Sequence, residues 1–123
     1  MADPAIEDGS MHEMSIALNI INIAGREAQE HGAAEIRSIN IEIGALAGVE
    51  ISALEFCYRV ARKGTAADRA ELVIDEIQAL GFCRHCEKEF PIDFFVSICP
   101  DCGEAVNEIR KGRELRVRSI QIV

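Results

Sequence analysis

The chain has 123 residues, 49% hydrophobic and 28% charged, which fits one domain or one small domain carrying a smaller module. Its formal net charge of −8 argues against a sequence-independent grip on nucleic acid, which needs lysines and arginines to neutralise phosphates. No apolar run approaches the roughly 18 residues that span a bilayer, and no stretch fits a secretory signal. We therefore expect a cytoplasmic protein with no membrane partner.

The first ten residues, MADPAIEDGS, show no periodicity and contain Pro4, Gly9 and Ser10. We expect residues 1–10 to be a disordered leader or tag, and the sequence leaves open whether they are native, processed or added. The question matters because Met11 would be a natural first residue.

The next segment has the spacing of an amphipathic helix, from Ser15 to about His31. Its apolar residues recur three, four, seven and eleven positions after the first, as one helix face requires: Ala17, Ile20, Ile21, Ala24 and Ala28. Gly32 is placed to end this helix in the left-handed conformation that favours glycine.

A strand and a second helix follow. From Ile36 to Ile43, isoleucines alternate with polar residues, which predicts a half-buried strand, and residues 44–48 (GALAG) form a loop. Ser52 is a candidate N-cap for the second helix, which Gly64 would end. The predicted buried stripe of this helix is Leu54, Cys57, Tyr58 and Ala61, and we expect the phenylalanines of the chain to lie in the core.

Two further strands are predicted, from Glu71 to about Leu80 and from Glu114 to Val123. In the last strand the apolar residues change parity between Val117 and Ile120, which suggests a bulge or burial on both faces. The element order predicts an α+β fold, a two-layer domain of a three-stranded sheet with two helices. Residues 11–81 and 111–123 would form this domain, and residues 82–110 an inserted zinc-ribbon-like module.

The inserted module contains four of the five cysteines, arranged as two C-x-x-C pairs with twelve residues between them: Cys83, Cys86, Cys99 and Cys102. Zinc prefers four thiolate or imidazole ligands in a tetrahedron, and two tight turns supply two thiolates each. A redox dithiol or two disulfides are the alternatives, but a redox pair usually stands once, at a helix start. With all four positions filled by sulfur, the zinc would be structural, and the spacer has room for a short hairpin from Glu89 to Ser97.

Two other side chains have alternative interpretations. His85, inside the first pair, is either an exposed residue or a ligand that exchanges with a cysteine. Cys57, on the apolar stripe of the second helix, is expected to be a buried core thiol rather than a reactive one.

The tripeptide Met11-His12-Glu13 immediately precedes the first helix. If Met11 is the amino terminus, its amine, the His12 amide nitrogen and the His12 imidazole can close two fused chelate rings in one plane. Planar nitrogen coordination suits Ni(II) or Cu(II), and Glu13 or a nearby carboxylate would complete the site. If residues 1–10 remain attached, Met11 has no free α-amine to bind the ion, but His12 and Glu13 remain as ligands.

Several segments, together with the cysteine pairs, carry a family resemblance: MHEMSIALNII at 11–21, INIEIGALAGVE at 39–50, LEFCYRVARKGT at 54–65, LVIDE at 72–76, CRHC at 83–86, CPDCG at 99–103 and ELRVRSIQIV at 114–123. Together they resemble the HypA/HybF family of hydrogenase nickel-incorporation proteins over residues 11–123. The resemblance implies a nickel metallochaperone for [NiFe]-hydrogenase maturation, and possible service to urease.

The resemblance also implies residue roles and partners. Nickel is expected at Met11 through its main chain, His12 and Glu13, with Glu50 as a further contributor. Zinc is expected at the four cysteines. The implied partners are a HypB-type GTPase and the hydrogenase large subunit or its maturation complex, with the chain a monomer or a homodimer.

The residues themselves allow two rival classes of function. A zinc-ribbon module that binds protein or nucleic acid is the first, and its only basic cluster is Arg110, Lys111, Arg113, Arg116 and Arg118. Alternating along a strand, these residues are more typical of a solvated face. An enzyme is the second, but there is no glycine-rich phosphate loop and no nucleophile with a paired base, so we expect no enzymatic activity.

Overall fold

The computed structural model describes residues 13–93, 97–106 and 108–123. In these ranges the elements are α1 (Glu13–Glu30), β1 (Ile36–Gly44), α2 (Ile51–Ala61), β2 (Glu71–Ile77), β3 (Leu80–Cys83), β4 (Lys88–Pro91), β5 (Glu108–Lys111) and β6 (Leu115–Ile122). The strands form two three-stranded sheets, ordered β2-β1-β6 and β4-β3-β5. The expected leader at residues 1–10 lies outside the described residues.

The fold is α+β, as predicted, and the chain divides into two compact units. One unit consists of residues 13–42, 49–75 and 115–123 within the described ranges, and the other of residues 43–48 and 76–114. The domain boundaries expected from the sequence, at residues 82 and 110, remain a prediction.

In the first unit, α1 buries the apolar stripe that its spacing predicts: Ile16, Ala17, Ile20, Ile21, Ala24 and Ala28. Gly32 follows the helix with a φ of 69°, in the left-handed region that a Cβ disfavours. On the central strand, β1, Ile39 and Ile41 are buried, so the alternation seen in the sequence does mark the core face.

The second helix starts differently from the expectation. Glu50, not Ser52, is the N-cap of α2, and its carboxylate accepts a hydrogen bond from the Ala53 backbone N–H at 2.7 Å. A glutamate is an uncommon cap, so the usual preference for serine misplaced this boundary by two residues. The Ser52 hydroxyl instead donates to the Glu50 carboxylate, at 2.8 and 2.9 Å to its two oxygens.

The buried stripe of α2 is narrower than predicted. Leu54 and Tyr58 are buried, whereas Cys57 is only half-buried. The Tyr58 hydroxyl donates to the Ala70 carbonyl at 2.8 Å, which ties α2 to the segment before β2. Phe56 is 59% exposed, so the expectation that the phenylalanines lie in the core is wrong at this position.

Side-chain pairs join β1 to β6 along one sheet face. The Ser38 hydroxyl donates to Gln121 and the Asn40 amide to Ser119, each at 3.1 Å, while Glu42 accepts from Arg116. Partner numbers fall along β6 as they rise along β1, so the two strands run antiparallel. Along β6 the contacting residues change from an even number, Arg116, to odd numbers, Ser119 and Gln121, while the apolar residues change from odd to even.

The second unit places β3 between two antiparallel neighbours, β4 and β5. The strand predicted to run from Glu71 to about Leu80 is in fact two: β2 ends at Ile77, and β3 starts at Leu80 in the other sheet. The sequence predicts a hairpin from Glu89 to Ser97. In the structure, β4 (Lys88–Pro91) instead pairs with β3, the strand that precedes it. Residues 94–96 of that segment lie outside the described residues.

A close backbone approach explains one glycine pair of this unit. A Cβ added at Gly44 would lie 2.1 Å from the carbonyl carbon and oxygen of Gly112, nearer than atoms can approach. Gly112, with a φ of 122°, in turn faces Ala79, whose Cα would lie 2.7 Å from an added Cβ. The Leu46 N–H donates to the Gly112 carbonyl at 2.6 Å, so the GALAG loop is held by backbone contacts that only glycine permits here.

Candidate metal centre

The structure brings the four cysteines of the two pairs into one cluster. The sulfur atoms of Cys83, Cys86, Cys99 and Cys102 all lie within 4.8 Å of one another. The Sγ atoms of Cys83 and Cys102 are 3.6 Å apart, and those of Cys99 and Cys86 are 3.9 Å apart. Four sulfurs about 2.3 Å from a zinc ion would be separated by about 3.8 Å, so the donor set has tetrahedral dimensions.

The first pair is held by the β3–β4 turn. Cys83 is the last residue of β3, and the Cys86 backbone N–H points at the Cys83 sulfur over 3.5 Å. Glu87 then has a φ of 54°, a left-handed conformation that is uncommon for a residue with a Cβ. This turn reverses the chain tightly enough for both sulfurs to face the same point.

The second pair forms a similar turn. The Gly103 N–H donates to the Cys99 carbonyl at 2.9 Å, and Gly103 itself has a φ of 75°. The Cys99 N–H donates to the Glu104 carbonyl at 2.9 Å, and Ile98 forms an isolated bridge with Ala105. A glycine directly after the second pair permits this left-handed reversal without a clash of a Cβ.

The four thiols of the cluster differ in their burial and in their hydrogen bonding. Cys83 and Cys99 are buried, Cys86 is half-buried, and Cys102 is exposed. Burial opposes ionisation of Cys99, but the backbone N–H groups of Cys102 and Asp101 stabilise its thiolate and lower its pKa to about 7. Hydrogen bonding with the Cys102 thiol, added to burial, raises the pKa of Cys86 to about 12. Four thiolates at these distances repel one another, so a bound cation is what allows all four to ionise.

This geometry discriminates between the alternatives raised by the sequence. A disulfide requires sulfurs about 2.0 Å apart, whereas those of Cys83 and Cys102 are 3.6 Å apart and all four cysteines are free thiols. The thiols also form one group of four rather than two separate dithiols. The residues fit a thiophilic divalent ion such as zinc, which would be held by Cys83, Cys86, Cys99 and Cys102.

Charged side chains outside the cluster also stabilise the module. Lys88 donates to Asp101 at 2.8 Å, joining the first turn to the second. Arg110 lies over the Phe82 ring at 3.9 Å and contacts Glu108, which also accepts from Arg84 at 2.6 Å. Sequence reasoning missed these contacts, because no spacing rule relates a lysine in one turn to an aspartate thirteen residues later.

His85 is not part of the sulfur cluster. Its side chain is exposed and lines a cavity of about 380 Å³ together with Phe82, Arg84 and Glu104. In the described ranges, the four cysteines are the only group of three or more potential ligands close enough to share an ion.

The candidate nickel residues are only partly described. Met11 and His12 lie outside the described residues, so their predicted roles remain predictions. Glu13 opens α1, and its carboxylate accepts a hydrogen bond from the Glu50 backbone N–H at 3.2 Å. The structure thus brings two of the four candidates, Glu13 and Glu50, next to each other, although they are far apart in sequence.

Comparison with known proteins gives a consistent result. A family model described as "Hydrogenase/urease nickel incorporation, metallochaperone, hypA" matches residues 11–122. The chain is 44% identical over 112 residues to the hydrogenase maturation factor HypA of Chlorobaculum parvum, covering 91% of this chain and 99% of that protein. It is 36% identical over 113 residues to the HypA of Rhizobium leguminosarum bv. viciae, covering 92% and 100%.

A solved structure shares the fold. The solution structure of the Ni metallochaperone HypA from Helicobacter pylori superimposes with a TM-score of 0.66 at 22% sequence identity, covering 92% of this chain and 98% of that one. At that identity the likeness speaks for the fold alone.

The fold and the sulfur cluster define a class: a small α+β protein with a four-cysteine metal-binding module. In the part of the chain that the structure describes, no helix is both long and apolar enough to cross a membrane. Within that class the chain belongs to the HypA family of nickel metallochaperones that act in hydrogenase maturation.

Proposed function

We propose that this chain binds Ni(II) and delivers it during the maturation of [NiFe]-hydrogenase. The observation that carries the proposal is the family match over residues 11–122, which includes the Met11-His12-Glu13 start. The family description also names urease, so nickel delivery to urease maturation is part of the proposal.

The nickel site is proposed at the start motif. The main-chain nitrogens of Met11 and His12 and the His12 imidazole would supply planar nitrogen donors, which suit Ni(II). Glu13 and Glu50 would be the acidic residues of this site, and the hydrogen bond between them supports their proximity. A planar site leaves the axial directions open, so ligands of a receiving protein could approach before the ion is released.

The four cysteines are proposed as a separate, structural zinc site. Zinc there would supply a charge that keeps all four thiols ionised and fixes both turns. Because the thiolates would occupy every tetrahedral position, no position remains for cargo exchange. The chain would hold zinc permanently and nickel only in transit, and it would transfer an ion without acting as an enzyme.

The proposed partners are those of the maturation machinery. We propose a HypB-type GTPase that works with this chain, and the hydrogenase large subunit or its maturation complex as the destination of nickel. The proposed compartment is the cytoplasm, and the active form a monomer or a homodimer.

The alternative, a zinc-ribbon module that binds nucleic acid, has less support. Its basic cluster is largely engaged with carboxylates: Arg110 contacts Glu108, and Arg116 contacts Glu42, with Arg118 at 4.0 Å from the same group. A salt-dependent shift on addition of nucleic acid would favour it.

Nickel titration tests the proposal. The chain has three histidines, so His12→Ala can be matched by His31→Ala and His85→Ala. His31 is a suitable control because it is exposed and already hydrogen-bonded through Nδ1 to the Glu27 carbonyl at 2.9 Å. We expect His12→Ala to lose nickel binding and both controls to keep it, in the full chain and in a form that begins at Met11.

Zinc content is measured on the same samples. We expect Cys99→Ala to lose zinc, while His12→Ala keeps one zinc ion per chain. If His12→Ala binds nickel like the parent, the start-motif assignment is wrong.

A further inference from the structure

The N-terminus of α2 contains an incomplete version of a known helix-start motif. In a capping box, the N-cap side chain accepts from the N3 backbone N–H, and the N3 side chain accepts from the N-cap backbone N–H. Glu50 makes the first bond, to Ala53 at 2.7 Å. Ala53 occupies N3, and its methyl group cannot make the second.

The missing acceptor comes from the other helix. Oε2 of Glu13, in the first turn of α1, accepts from the Glu50 N–H at 3.2 Å. Glu13 thus does for Glu50 what a glutamate at position 53 would do, from 37 residues away. The capping box of α2 is completed between two helices, which joins the first turn of α1 to the start of α2.

The Glu50 carboxylate is already committed within α2. One oxygen accepts from Ser52 at 2.9 Å, and the other from Ser52 at 2.8 Å and Ala53 at 2.7 Å. Turning this carboxylate toward a metal ion would leave the first N–H groups of α2 without their acceptor. The geometry therefore favours a framework role over direct coordination for this residue.

We propose that Glu13 is a positioning residue, which links the start of α1 to the start of α2 by completing the α2 capping box through the Glu50 N–H, rather than a ligand of nickel. The inference rests on the proposed function and changes the parts that its two acidic residues, Glu13 and Glu50, play in it. The nickel donors would then be the nitrogens of Met11 and His12, and the order of the α2 start would influence nickel affinity.

Three variants of the full chain separate the possible roles of Glu13. Glu13→Gln keeps an oxygen that accepts the Glu50 N–H but removes the anionic ligand. Glu13→Ala removes both. The double variant Glu13→Ala with Ala53→Glu returns an acceptor to the Glu50 N–H from within α2, without restoring the link to α1.

Each variant is measured for Ni(II) affinity, thermal midpoint and the visible absorption of bound nickel. We expect Glu13→Gln to bind within about threefold of the parent with unchanged nickel bands, and Glu13→Ala about tenfold more weakly, as for loss of an outer-sphere partner. The double variant should regain the thermal midpoint while its nickel affinity stays about tenfold below the parent.

Other results overturn the inference. If Glu13→Gln binds as weakly as Glu13→Ala and its nickel bands shift, Glu13 is a ligand. If the double variant regains nickel affinity, Glu13 serves only to cap α2, and parent-like binding by Glu13→Ala would deny it any role. A parent that binds no nickel contradicts the proposed function itself, and the Glu50 amide proton shift in Glu13→Ala still reports on the hydrogen bond.

Discussion

The two units of this chain are stabilised by different means. The first buries a large set of aliphatic side chains from α1, β1 and α2, among them Ile20, Ile39 and Leu54 at 0% exposure. The second has a core cluster of Cys83, Phe90 and Cys99, two of which are thiols of the metal centre. Among the described residues of this unit, Phe90 is the only buried aromatic side chain, and its strands are short. From this comparison we expect the first unit to fold on hydrophobic burial and the second to depend on a metal ion bound by its four cysteines.

Of the changes considered, metal removal should separate the stabilities of the two units most strongly. Zinc binding by a small module contributes about 10–16 kcal/mol of apparent free energy, so a chelator or Cys99→Ser should unfold the second unit. Hydrogen exchange measured by NMR should show lost protection in β3, β4 and β5 while α1 and β1 stay protected. Cys57→Ser, which alters a cysteine outside the cluster, should leave both units intact. Equal loss of protection in both units would contradict the comparison.

Truncation in the first core should have the next largest effect. Ile20→Ala removes a fully buried side chain of α1 and should lower the free energy of unfolding by about 2–5 kcal/mol. Urea unfolding followed by far-UV circular dichroism measures this change. Leu18→Ala, a truncation at a position 47% exposed on the same helix, is the matched control and should cost much less. If zinc content falls together with stability in Ile20→Ala, the two units are not stabilised independently.

A glycine pair tests the close backbone approach in the second unit. Gly44→Ala would place a methyl group 2.1 Å from the Gly112 carbonyl and should destabilise the protein by about 3 kcal/mol. Gly25→Ala, in α1, meets no atom within 4 Å and should stabilise by about 0.5–1 kcal/mol through helix propensity. The thermal midpoints should therefore move in opposite directions, and a neutral Gly44→Ala would show that this approach is looser than described.

The smallest expected effect concerns how the stability of the protein depends on pH through Glu50, the N-cap of α2. The Ser52 hydroxyl and then the Ala53 N–H lower the pKa of Glu50 below its ordinary value of 4.5. The stabilisation from ionised Glu50 is therefore fully present above pH 4.5 and is lost as the pH falls through the lower folded-state value. Glu50→Gln should be less stable than the parent near pH 7, and the two should converge at low pH. Urea midpoints at several pH values measure this, with Glu30→Gln as an exposed control. If the difference in stability between Glu50→Gln and the parent did not change with pH, the charge of Glu50 would not contribute to the cap.

Sequence patterns predicted the parts of this molecule that depend on local spacing. Helical periodicity located α1, alternation located β1, and the two C-x-x-C pairs located the sulfur cluster, because each pattern reflects which side chains share one face or one turn. The end of β2 at Ile77 was not predictable in this way. Just after this end, Ala79 lies in close contact with Gly112, a residue distant in sequence that no local pattern relates to it.

The start of α2 shows the same limit. Serine at position 52 is the better cap by general preference, but Glu50 takes the role, and Glu13, on another helix, accepts its backbone N–H. Phe56 is exposed although its apolar character predicted burial. Local spacing therefore identified the four cysteines that cluster, while the contacts that position them required the tertiary structure.

The most direct test of two separate metal environments is native mass spectrometry of the zinc-loaded chain after addition of one equivalent of Ni(II). Our account predicts a species carrying one zinc and one nickel, with nickel alone lost in His12→Ala. A nickel species that appears only as the zinc species disappears would mean that both ions compete for the four cysteines, and the proposal of a separate nickel site at the chain's Met-His-Glu motif would be wrong.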